Sequence, residues 1–260
     1  MGKVIAVANQ KGGVGKTTTA VNLSALLGAM GQRVLMIDLD PQGNTTSGLG
    51  MEVDDKSIYE VIMGRMKLTD VMEETEFKNL SIAGSDVRLA NAELELVEVE
   101  KREYRLKTAV QSVQQDFDFI FIDCPPSLGL LTINALGAAD SVLIPIQCEY
   151  YALEGVASLM NTISRVKKTI NPHLEIEGVL LTMLDGRTNL GLQVVDEVKK
   201  HFKKQVYATV IPRSVRLGEA PSHGEPIHVY DKRSAGCVAY LNLAKEVLKR
   251  NNIKVKEFKL

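Results

Sequence analysis

The run VIAVANQKGGVGKTTTAVNLSALL, residues 4–27, sets the fold. Its opening apolar residues read as a β-strand buried on both faces. Gly12, Gly13 and Gly15 follow, with Val14 between the last two. Lacking Cβ atoms, these glycines let backbone N–H groups crowd round a polyphosphate. The apolar helix that follows adds the partial positive charge of its N-terminus. Lys16 is placed to reach the β- and γ-phosphates, Thr17 to offer its hydroxyl to Mg²⁺, and Thr18 lies in the same first turn. The ordinary form of such a loop is G-x-x-x-x-G-K-[ST]. Here its first position is Gln10, and a second lysine, Lys11, stands ahead of the glycines.

The rest of the chain repeats the strand–helix alternation. RVLMIDLD (33–40), NLSIAGS (79–85), FDFIFIDCPP (117–126), SVLIPIQ (141–147), GVLLTMLD (178–185) and VYATVIPR (206–213) read as strands. Residues 16–30, 92–115, 152–170, 189–202 and 235–250 read as helices. Near-continuous apolar strands joined by helical crossovers predict an α/β fold: a mostly parallel twisted sheet with helices on both faces, in one domain spanning 1–260. Ligands of such a sheet gather at the carboxyl ends of its strands, where the motifs fall.

Two strand ends carry aspartates. Asp38 and Asp40 lie in DLDPQGNTTSGLG, where Pro41 stops the strand and Gly43 and Asn44 allow a loop to move. Asp38 is expected to support either Mg²⁺ or that loop. Asp123 closes the apolar FIFID, the arrangement in which an aspartate holds Mg²⁺ through water. Cys124 reads as a small buried filler.

Composition excludes several classes. Apolar residues make up 45% of 260, enough for a large core, yet no run is long enough to span a bilayer. No separate basic-then-apolar leader precedes the first strand, so no signal peptide is expected. Three scattered cysteines form neither a disulfide framework nor a metal motif, which points to a reducing cytoplasm. Net charge is −1, but from Arg187 onward 15 Lys+Arg stand against 7 Asp+Glu. That asymmetry hints at a face for polyanions.

K-G-G-x-G-K-[ST] is the deviant Walker A pattern, and the chain resembles the ParA/MinD group of P-loop ATPases that carries it. The resemblance implies ATP and Mg²⁺ as cofactors and a homodimer closed over two ATPs, with Lys11 and Lys16 both catalytic and Lys11 reaching the partner's nucleotide. The other reading keeps Lys11 on its own nucleotide. In D-x-D-P-Q-G-N the second aspartate, Asp40, positions or activates the attacking water. Pro212 and Arg213 in VIPRSVRLGEAPSHGEPI match the adenine-binding loop, and Glu149 lies in a region found at the dimer face of relatives.

DGRTN, IPRSVRLGEAPSHGEPI and YDKRSAG, with the loop and both aspartate motifs, are similar to the short ParA type often called Soj. That similarity implies chromosome or plasmid segregation at the nucleoid and non-specific binding of double-stranded DNA through Arg187 and Arg216. Lys199, Lys200, Lys203, Lys204 and the C-terminal helix lysines would widen that patch. It also implies a centromere-binding ParB partner, no membrane, and no operator-binding N-terminal extension. The rivals are a MinD-like membrane ATPase, disfavoured by the sparse apolar residues Ile253, Val255, Phe258 and Leu260; an iron–sulfur reductase relative, which needs paired cysteines; and a tyrosine kinase, which needs a tyrosine-rich tail.

Overall fold

The computed structural model describes residues 1–149, 154–255 and 258. β1 (Lys3–Val7) leads through the glycine loop into α1 (Lys16–Ala29), and β2 (Val34–Asp38) follows. Next come α2 (Asn44–Gly48), α3 (Ile58–Ile62), α4 (Leu68–Val71), β3 (Met72–Glu74) and β4 (Leu80–Ala83). α5 (Ala92–Glu95) and α6 (Arg105–Gln111) precede β5 (Phe119–Asp123), α7 (Leu130–Ala138) and β6 (Ser141–Gln147). α8 (Glu154–Thr169), β7 (Glu175–Leu184), α9 (Asn189–Phe202) and β8 (Val206–Pro212) continue the alternation. α10 (Val215–Glu219), α11 (Ile227–Tyr230) and α12 (Ala235–Arg250) follow the last strand.

The eight strands form one sheet in the order β3-β4-β2-β5-β1-β6-β7-β8. All neighbours are parallel except the short edge strand β3, which runs antiparallel to β4. Successive strand residues point to opposite faces, and both faces are dry. Val4, Ala6, Leu35, Ile37, Ile120 and Ile122 join one core with the inner residues of α7, α8 and α9. Ile5, Val7, Val34, Met36, Phe119 and Phe121 join the other, with α1 and α12. A strand buried twice must be apolar throughout, which is why these runs do not alternate. α1 is buried on nearly every side, so its sequence shows no polar stripe.

The expected helix over 92–115 is broken. Lys101 takes a left-handed φ of 55°, and Arg102 Nη1 donates to the Val97 carbonyl at 2.7 Å. The chain therefore turns after α5 and starts again at α6. The start of the helix expected over 152–170 lies outside the described residues, as does Leu260 of the tail. Among the described residues no helix is long and apolar enough to cross a membrane.

Candidate functional site

β1 lies between β5 and β6, where the strand order reverses direction along the chain, and its carboxyl end opens the crevice expected of such a sheet. Asn9 shapes the exit. Its Nδ2 donates to the Pro145 carbonyl at 2.7 Å and its Oδ1 accepts from the Lys11 N–H at 3.1 Å. Gly13 and Gly15 take left-handed φ values of 72° and 87°, which a side chain would strain. Gly15 is the N-cap of α1, and neither a side-chain cap nor an acidic residue occupies that first turn. The N–H groups of Lys16, Thr17 and Thr18 are thus left for an anion.

A cavity of about 620 Å³ stands over this turn. Gly12, Gly13, Gly15, Lys16, Thr17 and Thr18 form its floor, and Asp40, Pro125 and Ser127 its far wall. A second cavity of about 200 Å³ adjoins it, sharing Gly15, Thr18 and Met183, and is lined by Pro212, Arg213 and Tyr240. Two joined cavities of this kind suit a polyphosphate in the first and a base in the second. Met183, at the junction, holds a left-handed φ of 52°. Such strain at a non-glycine residue concentrates at functional sites.

The sequence-predicted residues converge unequally. Lys16 is 7% exposed and faces the first cavity, its Nζ donating to the Lys11 carbonyl at 3.5 Å. Lys11 turns outward instead. Its Nζ lies 4.0 Å from Glu149, which also takes Arg213 Nη2 at 3.1 Å and Gln147 Nε2 at 2.6 Å. Val14 is buried, and Thr182 Oγ1 donates to its carbonyl at 2.8 Å.

Asp40 is buried at the cavity wall, where its Oδ1 accepts the Gln42 N–H at 3.0 Å. Asp38 is fully buried: Oδ1 accepts the Asp40 N–H at 3.2 Å, and Oδ2 the Thr46 N–H and hydroxyl at 2.9 and 2.7 Å. Of the two roles expected for Asp38, this geometry favours holding the loop. Asp123 Oδ2 accepts hydroxyl bonds from Thr17 and Thr45, each at 2.7 Å. Burial, then the neighbouring Asp38 charge, pushes Asp123 up to about 7. Burial raises Asp38 to about 6.

Mg²⁺ fits these residues. Asp123 Oδ1 is buried without a hydrogen-bond partner, an oxygen left for a metal-bound water. Thr17 gives its proton to Asp123 and keeps its lone pairs for a cation. Cys124 is buried beside them, and burial raises its thiol far above the usual range, as expected of a filler.

Arg187 and Arg216 follow β7 and β8, neighbouring strands, at the same end of the sheet as the glycine loop. Arg187 is 88% exposed and pairs with Asp185 at 2.7 Å. Arg216 is 55% exposed and pairs with Glu219 at 2.9 Å and Asp231 at 3.5 Å. The lysines expected to widen this patch do not sit beside it. Lys199 and Lys200 are in the last turn of α9, with Lys203 and Lys204 just beyond. Fourteen helical residues carry the chain about 21 Å, to the opposite end of the sheet. Lys249 is likewise in the last turn of α12.

Sequence reasoning missed Thr45, Thr46, Thr182 and Met183. The paired hydroxyls directly after the DPQGN loop were the available signal for the first two.

A family model describing an AAA domain matches residues 2–176. The chain is 60% identical to the sporulation initiation inhibitor protein Soj of Bacillus subtilis, covering 95% of this chain and 98% of that one. It is 51% identical to the chromosome partitioning protein ParA of Myxococcus xanthus, covering 98% and 90%. In structure it is similar to cobyrinic acid a,c-diamide synthase of Mycobacterium smegmatis with bound ADP and magnesium, at a TM-score of 0.85, 38% identity and full coverage of both chains. The matched length, the glycine loop and the strand-end aspartates agree, and the chain belongs to the Soj/ParA family of P-loop ATPases.

Proposed function

We propose that this ATPase partitions chromosomes or plasmids by a nucleotide-controlled grip on DNA. The chain acts as one P-loop domain over residues 1–260. ATP lies across the two joined cavities, phosphates over Gly12 to Thr18 and base against Pro212 and Arg213. Thr17 and, through water, Asp123 would hold Mg²⁺, which would supply positive charge to neutralise the phosphates. Lys16 neutralises the β- and γ-phosphates from within the same chain. Asp40 orients the attacking water and accepts its proton. Lys11 completes the site in trans when two subunits close face to face. The dimer then presents Arg187 and Arg216 from both chains to DNA phosphates, without base readout. A ParB-type partner stimulates hydrolysis and releases the dimer from the nucleoid.

The observation that carries this reading is the outward turn of Lys11. It belongs to the phosphate loop, yet it does not line the cavity that Lys16 faces, and it rests on a half-exposed carboxylate. A lysine serving its own nucleotide would sit inside. The membrane rival meets a specific objection: Ile253, Val255 and Phe258 pack back against the α12 side of the core. The test is a gel shift with non-specific duplex DNA, comparing ATP with ADP in the natural protein and in Asp40→Ala. DNA should be held only with ATP, and most persistently by Asp40→Ala. Equal binding without nucleotide would overturn the proposal.

A further inference from the structure

Two carboxylates end neighbouring strands beneath the phosphate cavity. Asp38 closes β2, Asp123 closes β5, and the strand register sets them side by side. Both are completely buried. Like charges so placed repel one another, with no water to screen them. One dipeptide answers both. Thr45 is itself fully buried and donates its hydroxyl to Asp123, while Thr46 donates its hydroxyl and its N–H to Asp38. The Ser85 N–H donates to the Thr46 oxygen at 3.0 Å, which leaves the Thr46 proton for Asp38.

The Asp123 carboxylate is thereby gripped from two elements. Thr17 reaches it from α1 and Thr45 from α2, both on Oδ2, and Oδ1 is left over. One hydroxyl alone would let the carboxylate pivot, whereas two on the same oxygen fix which oxygen remains. α2 is also tied to the loop before it. The Ser47 N–H donates to the Gly43 carbonyl, and the Gly43 N–H to the Asp40 carbonyl, each at 3.0 Å. Thr45 therefore sits in the chain between its bond to Asp123 and the Gly43 turn that bonds the Asp40 carbonyl.

We propose that Thr45 is a positioning residue. It holds Asp123 by one oxygen so that the other serves Mg²⁺, and it makes the loop carrying Asp40 respond to the metal. This rests on the reading of the site as one for ATP and Mg²⁺. Thr45 touches neither nucleotide nor reacting atoms; it acts through Asp123 on one side and α2 on the other.

The test uses the full chain and ADP, with and without Mg²⁺, by calorimetry. Thr45→Val keeps the shape and removes the hydroxyl; Thr45→Ser keeps the hydroxyl and removes a methyl. In Thr45→Val, the gain in ADP affinity given by Mg²⁺ should shrink about tenfold, the scale of one hydrogen bond to a charged group, while metal-free ADP affinity stays unchanged. Thr45→Ser should restore the gain. Hydrogen exchange over residues 40–48 should slow on adding Mg²⁺ and ADP to the natural protein and to Thr45→Ser, but not to Thr45→Val. If Thr45→Val proves unstable, Thr45→Ala is read in the same titration. An undiminished Mg²⁺ gain in a folded Val or Ala variant would overturn the proposal. So would an equal loss of affinity with and without metal, because it marks a packing role alone. A natural protein that binds no ADP would overturn the nucleotide reading itself, and this inference with it.

Discussion

The floor and the rim of the phosphate cavity are built on opposite terms. On the floor and just beneath it, Lys16, Asp38, Thr45 and Asp123 are buried: the two carboxylates take hydroxyl bonds of 2.7 Å, one Asp123 oxygen is left over, and Lys16 reaches the Lys11 carbonyl at 3.5 Å. On the rim, Lys11, Glu149, Arg213, Arg187 and Arg216 hold ion pairs with their side chains one-third to nine-tenths exposed. Exposed pairs contribute about 0–1 kcal/mol each, because water competes and two long side chains must be ordered. Floor contacts define the resting site; rim contacts are weak enough to be exchanged for other partners. The two lysines of one loop, five residues apart, fall on opposite sides of this line.

The sharpest way to break the comparison is to remove Asp40 from the buried cavity wall and Lys11 from the rim. Asp40→Ala should keep ATP and lose hydrolysis on the order of a hundredfold or more, accumulating as a dimer. Lys11→Ala should keep most ATP affinity and lose ATP-dependent dimerisation. Phosphate release and size exclusion with ATP check both. A monomeric Asp40→Ala, or a normally dimerising Lys11→Ala, would erase the distinction between floor and rim.

The second prediction concerns the floor alone and follows from its charge. Asp38 at about 6 and Asp123 at about 7 lie above the ordinary carboxylate value, through burial and, for Asp123, also the Asp38 charge. Between the ordinary range and about pH 7, the folded chain keeps protons that the unfolded chain has released. Unfolding free energy then falls as pH rises through that window. Without nucleotide or metal, stability should drop by on the order of 2–3 kcal/mol from pH 5.5 to pH 7.5, read from urea midpoints. Asp38→Asn should flatten the slope. A slope unchanged by that substitution would mean that the pair is not the cause.

How much of this was legible in the sequence depended on how far apart along the chain the interacting groups lie. The glycine loop, Lys16 and Thr17 could be read because strand, turn and helix adjoin in one run. Asp123 could be read because an aspartate closing a buried apolar strand falls at the carboxyl edge of the sheet, beside the phosphate loop. Thr45 could not, because its partner lies 78 residues away and a hydroxyl gives no signal until the strands are paired. The patch around Arg187 was misjudged through distance along the chain. Lys199 and Lys200 are near it in sequence, but a helix moves them to the far end of the sheet. The break between α5 and α6 depends on Arg102 taking the Val97 carbonyl, and helical periodicity does not record such a bond.

On the rim, Arg216→Glu should lower retention of non-specific DNA about tenfold at moderate salt, leave ATP binding intact, and reduce the salt dependence of what binding remains. The reversal places a third carboxylate beside Glu219 and Asp231, where a phosphate would otherwise displace them. Arg187→Ala should cost less, since it removes one exposed contact without adding repulsion. Equal retention in Arg216→Glu would move the DNA surface elsewhere.

The smallest expected effect is also the most informative about the rim. Glu149 holds Lys11 at 4.0 Å and Arg213 at 3.1 Å, so one carboxylate restrains both the outward-turned lysine and a residue lining the second cavity. That restraint is a weak surface pairing, so Glu149→Gln should release Lys11 and tighten ATP-dependent dimerisation by no more than a few-fold, since one exposed pair contributes at most about 1 kcal/mol. The direction separates two roles. Tighter dimers mean that Glu149 restrains Lys11 within its own chain; weaker dimers mean that it works across the subunit boundary. The double variant Lys11→Ala with Glu149→Gln isolates the coupling: no further change over Lys11→Ala alone is expected. A change beyond about tenfold in either direction would place Glu149 with the floor residues, as a fixed partner rather than an exchangeable one.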